Sequence, residues 1–447
     1  MIVAGLTGSL LAFLPELERA INPQFYPERA SGEFLDLAAL AERAERLAPE
    51  ANINGIVLRD YTYQTQAMVG PKAQNPDPGF DQLFLDPYNG EELGRRQAGA
   101  ISEGLVNLMP FIYQLHYCLA LDSFGMWVLG ICALAWTLDC FVAFYLTLPR
   151  RRKLPPPPHA VGLKLVPFVL SPSATLKRAL SKDERNKRTC MKLWPFALSL
   201  SKHELLKSSV LKGQGGVSWW RRWKPAWKIR WNKGGYKLNF DLHRAGGLWL
   251  WVVLLIFAWS SVGMNLWDTV YTWATRAVFE YKTLWTELPE RAEPLQQPRL
   301  SWREAQTRGE QLMAELAEEH GFAVDHANAL RLDRTHGVYV YQVRSSLDFQ
   351  DSRRAATQVF FDAGSGEFKL LMLPSGQYTG NTVTQWLYAL HTGTVFGLPY
   401  RIFVCFLGVI IVMLSITGIV IWMKKRRARR LKYLSANRRA EALGEHV

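Results

Sequence analysis

Cysteine is scarce, five in 447 residues, and its placement says more than its number. Cys118, Cys132, Cys140 and Cys405 lie in or near long apolar runs and Cys190 lies in a basic stretch. The two acidic stretches between the runs therefore have none, which excludes a disulfide framework there. No Cys-x-x-Cys-His occurs, so haem attached through thioethers is excluded. The absence of a Gly-rich phosphate loop or dinucleotide fingerprint argues against a nicotinamide or flavin site within the chain. Acidic residues are nearly missing from two stretches. Residues 149–240 hold 22 Lys+Arg against 3 Asp+Glu (net +19), and residues 424–447 hold 9 against 2 (net +7).

The other two hydrophilic stretches are acidic: 15–108 has 8 Lys+Arg against 15 Asp+Glu, and 268–396 has 12 against 16. Between them run Gly125 to Leu148, Ala245 to Trp267 and Ile402 to Met423, each long enough to cross a bilayer core at about 20 residues. A purely soluble protein is excluded. The charge alternation follows the positive-inside rule, with Arg150 to Lys153 and Lys424 to Arg427 in the cytoplasm and the acidic stretches outside. Basic runs that abut transmembrane ends speak against nucleic acid as a partner and for anionic lipid. Trp219 to Lys228 fits the inner leaflet, with Trp at headgroup level; a docking surface for a reductase is the rival. The apolar stretch Ile2 to Leu14 spans only about 20 Å. It reads as the outer half of a truncated first transmembrane helix, or else as a re-entrant or interfacial helix.

The two outer stretches share an order of elements. A helical pattern over Glu33 to Leu47 precedes strand-like Ile53 to Val57, and one over Arg303 to Glu319 precedes strands at Gly337 to Val343 and Thr357 to Phe361. Each stretch contains Asp-x-x-x-Gly-Glu, at Asp86 to Glu91 and Asp362 to Glu367, expected to be a hairpin turn. Each is thus expected to be a small α+β module with a helix on an antiparallel sheet. Within the basic loop, Pro155 to Pro158 is a polyproline spacer, and 161–217 has no apolar periodicity and reads as an insertion.

Histidine is the residue type with a pattern. His116 precedes the basic cluster at Arg150 by 34 residues, and His391 precedes the cluster at Lys424 by 33. If both segments are helical, both imidazoles sit about 50 Å above the cytoplasmic belt, near the outer surface. His243 opens a helix running the other way, near the inner surface. Two imidazoles facing each other across a bundle suit haem iron; helix-capping residues and a divalent metal site are the alternatives. His320 is expected to serve a helix C-terminus, His326 and His336 the surface, and His159 and His203 no function. Asp139 either tunes a cofactor or bonds a neighbouring helix. Trp127, Trp136, Trp249, Trp251 and Trp259 either line an electron route or pack.

Phe240 to Trp251, with Asp-Leu-His-Arg-Ala-Gly-Gly around His243, together with Leu115-His116, Leu387 to His391 and Phe396 to Arg401, resemble the PepSY-associated transmembrane family. Thr137 to Phe141 and Leu146 to Pro149 extend the likeness, and both outer stretches look like PepSY modules. The family includes iron-regulated inner-membrane proteins and ferric-siderophore reductases. The resemblance implies four transmembrane helices and two b-type haems, with His116 and His391 the axial ligands of the outer one. The inner haem would take His243 and a His of a Leu-His motif opening the first helix, and this sequence begins beyond that motif. The implied layout is 1–14 (helix 1, outer half), 15–108 (periplasmic module), 109–148 (helix 2), 149–240 (cytoplasmic loop), 241–267 (helix 3), 268–386 (periplasmic module), 387–423 (helix 4) and 424–447 (cytoplasmic tail).

The resulting expectation is a bacterial inner-membrane electron conduit that reduces a ferric siderophore or similar iron chelate in the periplasm, fed by a quinol or a separate reductase. A membrane sensor or assembly partner without enzymatic activity, and a siderophore or metal transporter, are the competing classes. Transport would call for broken helix pairs and several intramembrane charges, whereas Asp139 is the sole deeply placed one.

Overall fold

The computed structural model describes residues 1–27, 32–59, 64–72, 75, 77–149, 218–349 and 357–444. The expected insertion at 161–217, the polyproline spacer, Cys190, His159 and His203 lie outside the described residues. The chain divides into two compact units, Met1–Thr147 with Ala226–Val447, and Leu148–Pro225. In the smaller unit the described part includes a short helix, Trp219–Trp223, in which the indoles of Trp219, Trp220 and Trp223 pack on one another.

The larger unit begins with helices α1 (Ile2–Leu11) and α2 (Leu14–Ile21), followed by α3 (Leu37–Leu47). Strands β1 (Asn52–Arg59), β2 (Gln64–Gly70), β3 (Gln82–Leu85) and β4 (Glu92–Arg96) complete the first outer stretch. Helices α4 (Leu108–Cys118), α5 (Asp122–Thr147), α6 (Tyr236–Trp249) and α7 (Trp251–Asn265) come next. The second outer stretch contributes α8 (Trp302–His320) and strands β5 (Val324–Asp333), β6 (Val338–Ser345), β7 (Thr357–Asp362) and β8 (Phe368–Met372). Helices α9 (Thr379–Thr392) and α10 (Gly397–Gly444) close the chain.

Among the described residues two helices, α5 and α10, are long and apolar enough to cross a membrane. The apolar run expected as one helix from Ala245 is instead divided between α6 and α7, which bend by 75° at Leu250 and make a third span if counted together. Helix α1 is apolar but only ten residues long.

The outer stretches differ from expectation in one respect. Each is a helix on four antiparallel strands, but the two do not form separate sheets. Strand β1 pairs antiparallel with β5 through Gly55/Arg331, Ile56/Leu330 and Val57/Ala329, giving one eight-stranded sheet in the order β4-β3-β2-β1-β5-β6-β7-β8. Each half alone would leave an open strand edge, and their pairing removes both. One core serves both halves: Leu40 and Ala44 of α3, Leu312 and Met313 of α8, and Ile56, Leu330, Tyr341 and Phe361 from the strands.

The halves repeat several local bonds. Asp36 caps α3 by accepting from the Ala39 amide, and Ser301 caps α8 in a capping box with Glu304. Seven residues beyond each cap, Arg43 donates to the Gly90 carbonyl and Arg308 to the Gly366 carbonyl. Both glycines close the expected turns with positive φ, 70° and 73°. In each turn the Gly amide donates to the carbonyl of the leading Asp, 86 or 362.

The sheet is tied to helix α2 by a buried ion pair. Arg96 of β4 donates to Glu18 of α2 at 2.5 Å, with the two side chains 8% and 7% exposed. Arg96 also donates to the Val106 carbonyl and lies over the Phe25 and Phe84 rings. Replacing Glu18 with Ala leaves a buried guanidinium without its carboxylate, and a loss of about 3 kcal/mol is expected. A thermal melt of the detergent-solubilised protein checks it: an unchanged midpoint would mean that water reaches Arg96.

Candidate functional site

The break between a short helix and a long one places the histidines. His116 lies in the last turn of α4 and His391 in the last turn of α9. Left-handed residues follow each, Leu119 and Ala120 (φ 55° and 54°) in one case and Gly393 (φ 71°) in the other, before α5 and α10 begin. The expected continuous helices below the histidines are thus interrupted, but both are interrupted at equivalent points, so the residues still meet. The two rings lie edge to face, with centroids 6.1 Å apart and planes at 68°.

A hydroxyl on a neighbouring helix orients each ring. Thr7 Oγ1 of α1 lies 3.0 Å from His116 Nδ1 and donates its own hydrogen to the Val3 carbonyl at 2.8 Å. Ser260 Oγ of α7 lies 2.8 Å from His391 Nδ1 and donates to the Phe257 carbonyl at 3.1 Å. With each hydroxyl hydrogen on its helix carbonyl, the imidazole donates from Nδ1 to the hydroxyl oxygen and keeps a lone pair on Nε2, the tautomer that suits a histidine to a metal. The Phe257 ring stacks on His391 at 4.8 Å.

His243 of α6 is also held at its Nδ1. Its Nδ1 is 3.1 Å from the Leu414 carbonyl, which can only accept, and 3.1 Å from Thr417 Oγ1. The two sites share a dipeptide: Thr7-Gly8 beside His116, Thr417-Gly418 beside His243. A Cβ at Gly8 would lie 3.0 Å from His116 Cε1, and one at Gly418 would lie 3.1 Å from His243 Cε1. In each case Thr orients the ring and Gly makes room for it. Sequence reasoning missed Thr7, Ser260 and Thr417; the repeated Thr-Gly was the available signal for two of them. The other described histidines, His320, His326 and His336, belong to the sheet half. His336 bonds Asp333 at 2.7 Å within its turn, and His326 lies beside Asp325.

The Asp241 carboxylate, two residues before His243, is fully buried and held by Arg230 at 2.6 Å and Arg244 at 2.9 Å. Asp139, by contrast, is exposed on the outside of α5. Trp251 donates to the Cys140 carbonyl, joining α7 to α5, and Trp127 and Trp249 face outward. The tryptophans mainly pack or face outward, although Trp136 also lines the cavity between the histidines and the sheet.

That cavity, of about 1660 Å³, is bounded by His116, His391, Phe257 and Gly408 on the helix side. Opposite them is the sheet face without helices, with Arg59, Gln66, Arg331, Gln342 and Gln358. Two imidazoles on one metal, each through a bond of about 2 Å, have ring centres about 6 Å apart, so the 6.1 Å pair fits axial ligation. Among the described residues no group of three or more His, Cys, Asp and Glu could hold a metal ion.

Comparison with known families decides what kind of protein has this arrangement: the model of the PepSY-associated TM region matches residues 1–181 and 210–425. The chain belongs to the PepSY-associated TM family. No curated protein matches it. Membership and the apolar helices together make this PepSY-associated TM protein a membrane protein. The matched residues include all three histidines with oriented rings.

Proposed function

We propose that this chain is a haem protein of the bacterial inner membrane that reduces a ferric siderophore or a similar iron chelate on the periplasmic side. The observation that carries the reading is the His116/His391 pair, two rings with centroids 6.1 Å apart, each with its Nδ1 beside a hydroxyl. In this reading α1, α4 with α5, α6 with α7, and α9 with α10 form four transmembrane segments. The two halves of the sheet are PepSY modules facing the periplasm. Charge supports that orientation, since 149–240 and 424–447 are strongly basic.

Haem b bound between the histidines would supply a one-electron centre. The chain's part is to hold both imidazoles in one tautomer, through Thr7 and Ser260, and to enclose the site with apolar helices. The reaction takes one electron from a separate donor, a quinol or a reductase, and converts Fe(III) to Fe(II) in the chelate. Oxygen-rich chelators hold the harder ferric ion more tightly, so reduction promotes iron release. His243, also held at its Nδ1, is the candidate ligand for a second, inner haem.

A dithionite-reduced minus oxidised spectrum of the purified chain, with pyridine haemochrome quantification, tests this. At least one b-type haem per chain is expected, and a second would assign His243. No haem in folded protein supplied with haem would overturn the reading and favour a sensor without enzymatic activity.

A further inference from the structure

Helix α10 does not stop where its apolar span ends but runs on without a break to Gly444. Residues 422–438 are all exposed, and 424–438 hold eight Lys and Arg and no Asp or Glu. The start of α6 lies beside this extension: Lys424 Nζ sits over the Tyr236 ring at 5.2 Å, and Asn239 donates to the Thr417 carbonyl at 3.1 Å. The chain around that start adds the exposed Lys228, Lys233 and Lys237. The carboxylate of this region, Asp241, is buried and already holds Arg230 and Arg244.

The stretches that contain this surface cannot neutralise it themselves. Residues 149–240 hold 22 Lys+Arg against 3 Asp+Glu and 424–447 hold 9 against 2, so the matching anion comes from outside them. Lipid phosphates reach the first of these charges, next to the apolar span. They do not reach the last: at 1.5 Å per residue Arg438 is about 22 Å beyond Met423 along the helix, more than two Debye lengths at physiological salt. The extension also carries Leu431, Tyr433 and Leu434, 58%, 66% and 44% exposed. Leucine and tyrosine among arginines, clear of the membrane, make the composition of a protein interface and not that of a solvated helix. His243 lies two turns into α6 from Tyr236, about 10 Å along the axis, so a protein seated here is close to the inner candidate ligand.

We propose that the α10 extension, with Lys228, Lys233 and Lys237, is the docking surface for a soluble electron-carrier protein whose flavin or iron–sulfur group is ringed by carboxylates. This rests on the function proposed above, since it names the class of donor that feeds that site. The reduced carrier gives up one electron per encounter and leaves oxidised by one electron; no bond forms or breaks. Opposite charge steers such an encounter and raises its rate.

Oxidised flavodoxin, an acidic FMN protein, tests docking without electron transfer. Titrated into the full-length protein in nanodiscs of neutral phosphatidylcholine, it should bind at low salt and lose affinity steeply as salt rises. The triple variant Arg429→Glu, Arg430→Glu, Lys432→Glu should weaken binding about tenfold, with haem content and reduction by dithionite unchanged. It keeps Lys424 to Arg427, so the charge that sets the orientation of α10 stays in place. Cytochrome c, a carrier of the opposite charge, should not bind. Absence of flavodoxin binding, binding that the triple variant leaves unchanged, or equal binding of cytochrome c overturns the proposal. Unchanged flavodoxin binding with loss of co-purified phosphatidylglycerol would assign the charges to lipid and overturn it equally. Flavodoxin binding to folded protein that takes up no haem would leave this proposal standing and remove the reductase reading, and haem without flavodoxin binding would do the reverse.

Discussion

Replacing His391 with alanine is expected to remove one b-type haem per chain, and replacing His116 should do the same. Each substitution deletes one Nε2 donor from a pair at 6.1 Å, and a single imidazole leaves the opposite axial position open. External imidazole should restore the spectrum in either variant, because the space left by the ring admits it; a collapsed bundle would not respond. His243→Ala should leave this signal intact and affect only a second equivalent of haem. Ser260→Ala provides a graded control. It removes the hydroxyl beside His391 Nδ1 while sparing the imidazole proposed to hold haem, and outer partners of this kind typically contribute about 10–100-fold in affinity. If His391→Ala and His116→Ala both retain the haem spectrum, the pair is not the ligand set.

How much of this site was legible in the sequence depends on how far apart its parts lie. His116 and His391 stood out because two equal intervals to two basic clusters carry information across 275 positions. The hairpin turns were legible because Asp-x-x-x-Gly-Glu encodes local backbone geometry, and Gly90 and Gly366 both adopt it. The orienting hydroxyls were not, since Thr7 and His116 are 109 residues apart and a lone Thr in an apolar helix has no local signature. The joining of the halves was hidden for a similar reason. Nothing in Gly55 or Arg331 alone announces that β1 pairs with β5, which is decided by the need to bury two strand edges at once. The helix break at Leu250 was also missed, because apolar character continues across it.

The dependence of His116 on α1 leads to the second large effect, expected from Gly408→Val. Helix α1 reaches its place by crossing α10 where both chains are glycine. A Cβ on Gly408 would lie 2.5 Å from the Gly5 carbonyl oxygen and would also collide with Ser9 Oγ. These are not flexible ends that can swing aside: Ser9 Oγ donates to the Cys405 carbonyl, and the Gly5 carbonyl is helix backbone. A branched side chain must push α1 away, and Thr7 and Gly8 move with it. His116 then loses its 3.0 Å contact with Thr7. Overpacking of this kind costs about 1–3 kcal/mol, and each 1.4 kcal/mol is about tenfold in affinity. The haem-to-protein ratio should therefore fall at limiting haem, and recover in part when haem is in excess. The sheet half should melt as before, because its core draws on α3, α8 and the strands and not on α1. Gly408→Ala in a Ser9→Ala background relieves one of the two collisions and should lie between the extremes. Full haem occupancy at limiting haem in Gly408→Val would show that His116 is oriented without α1, and that the Thr7 contact does not set its tautomer.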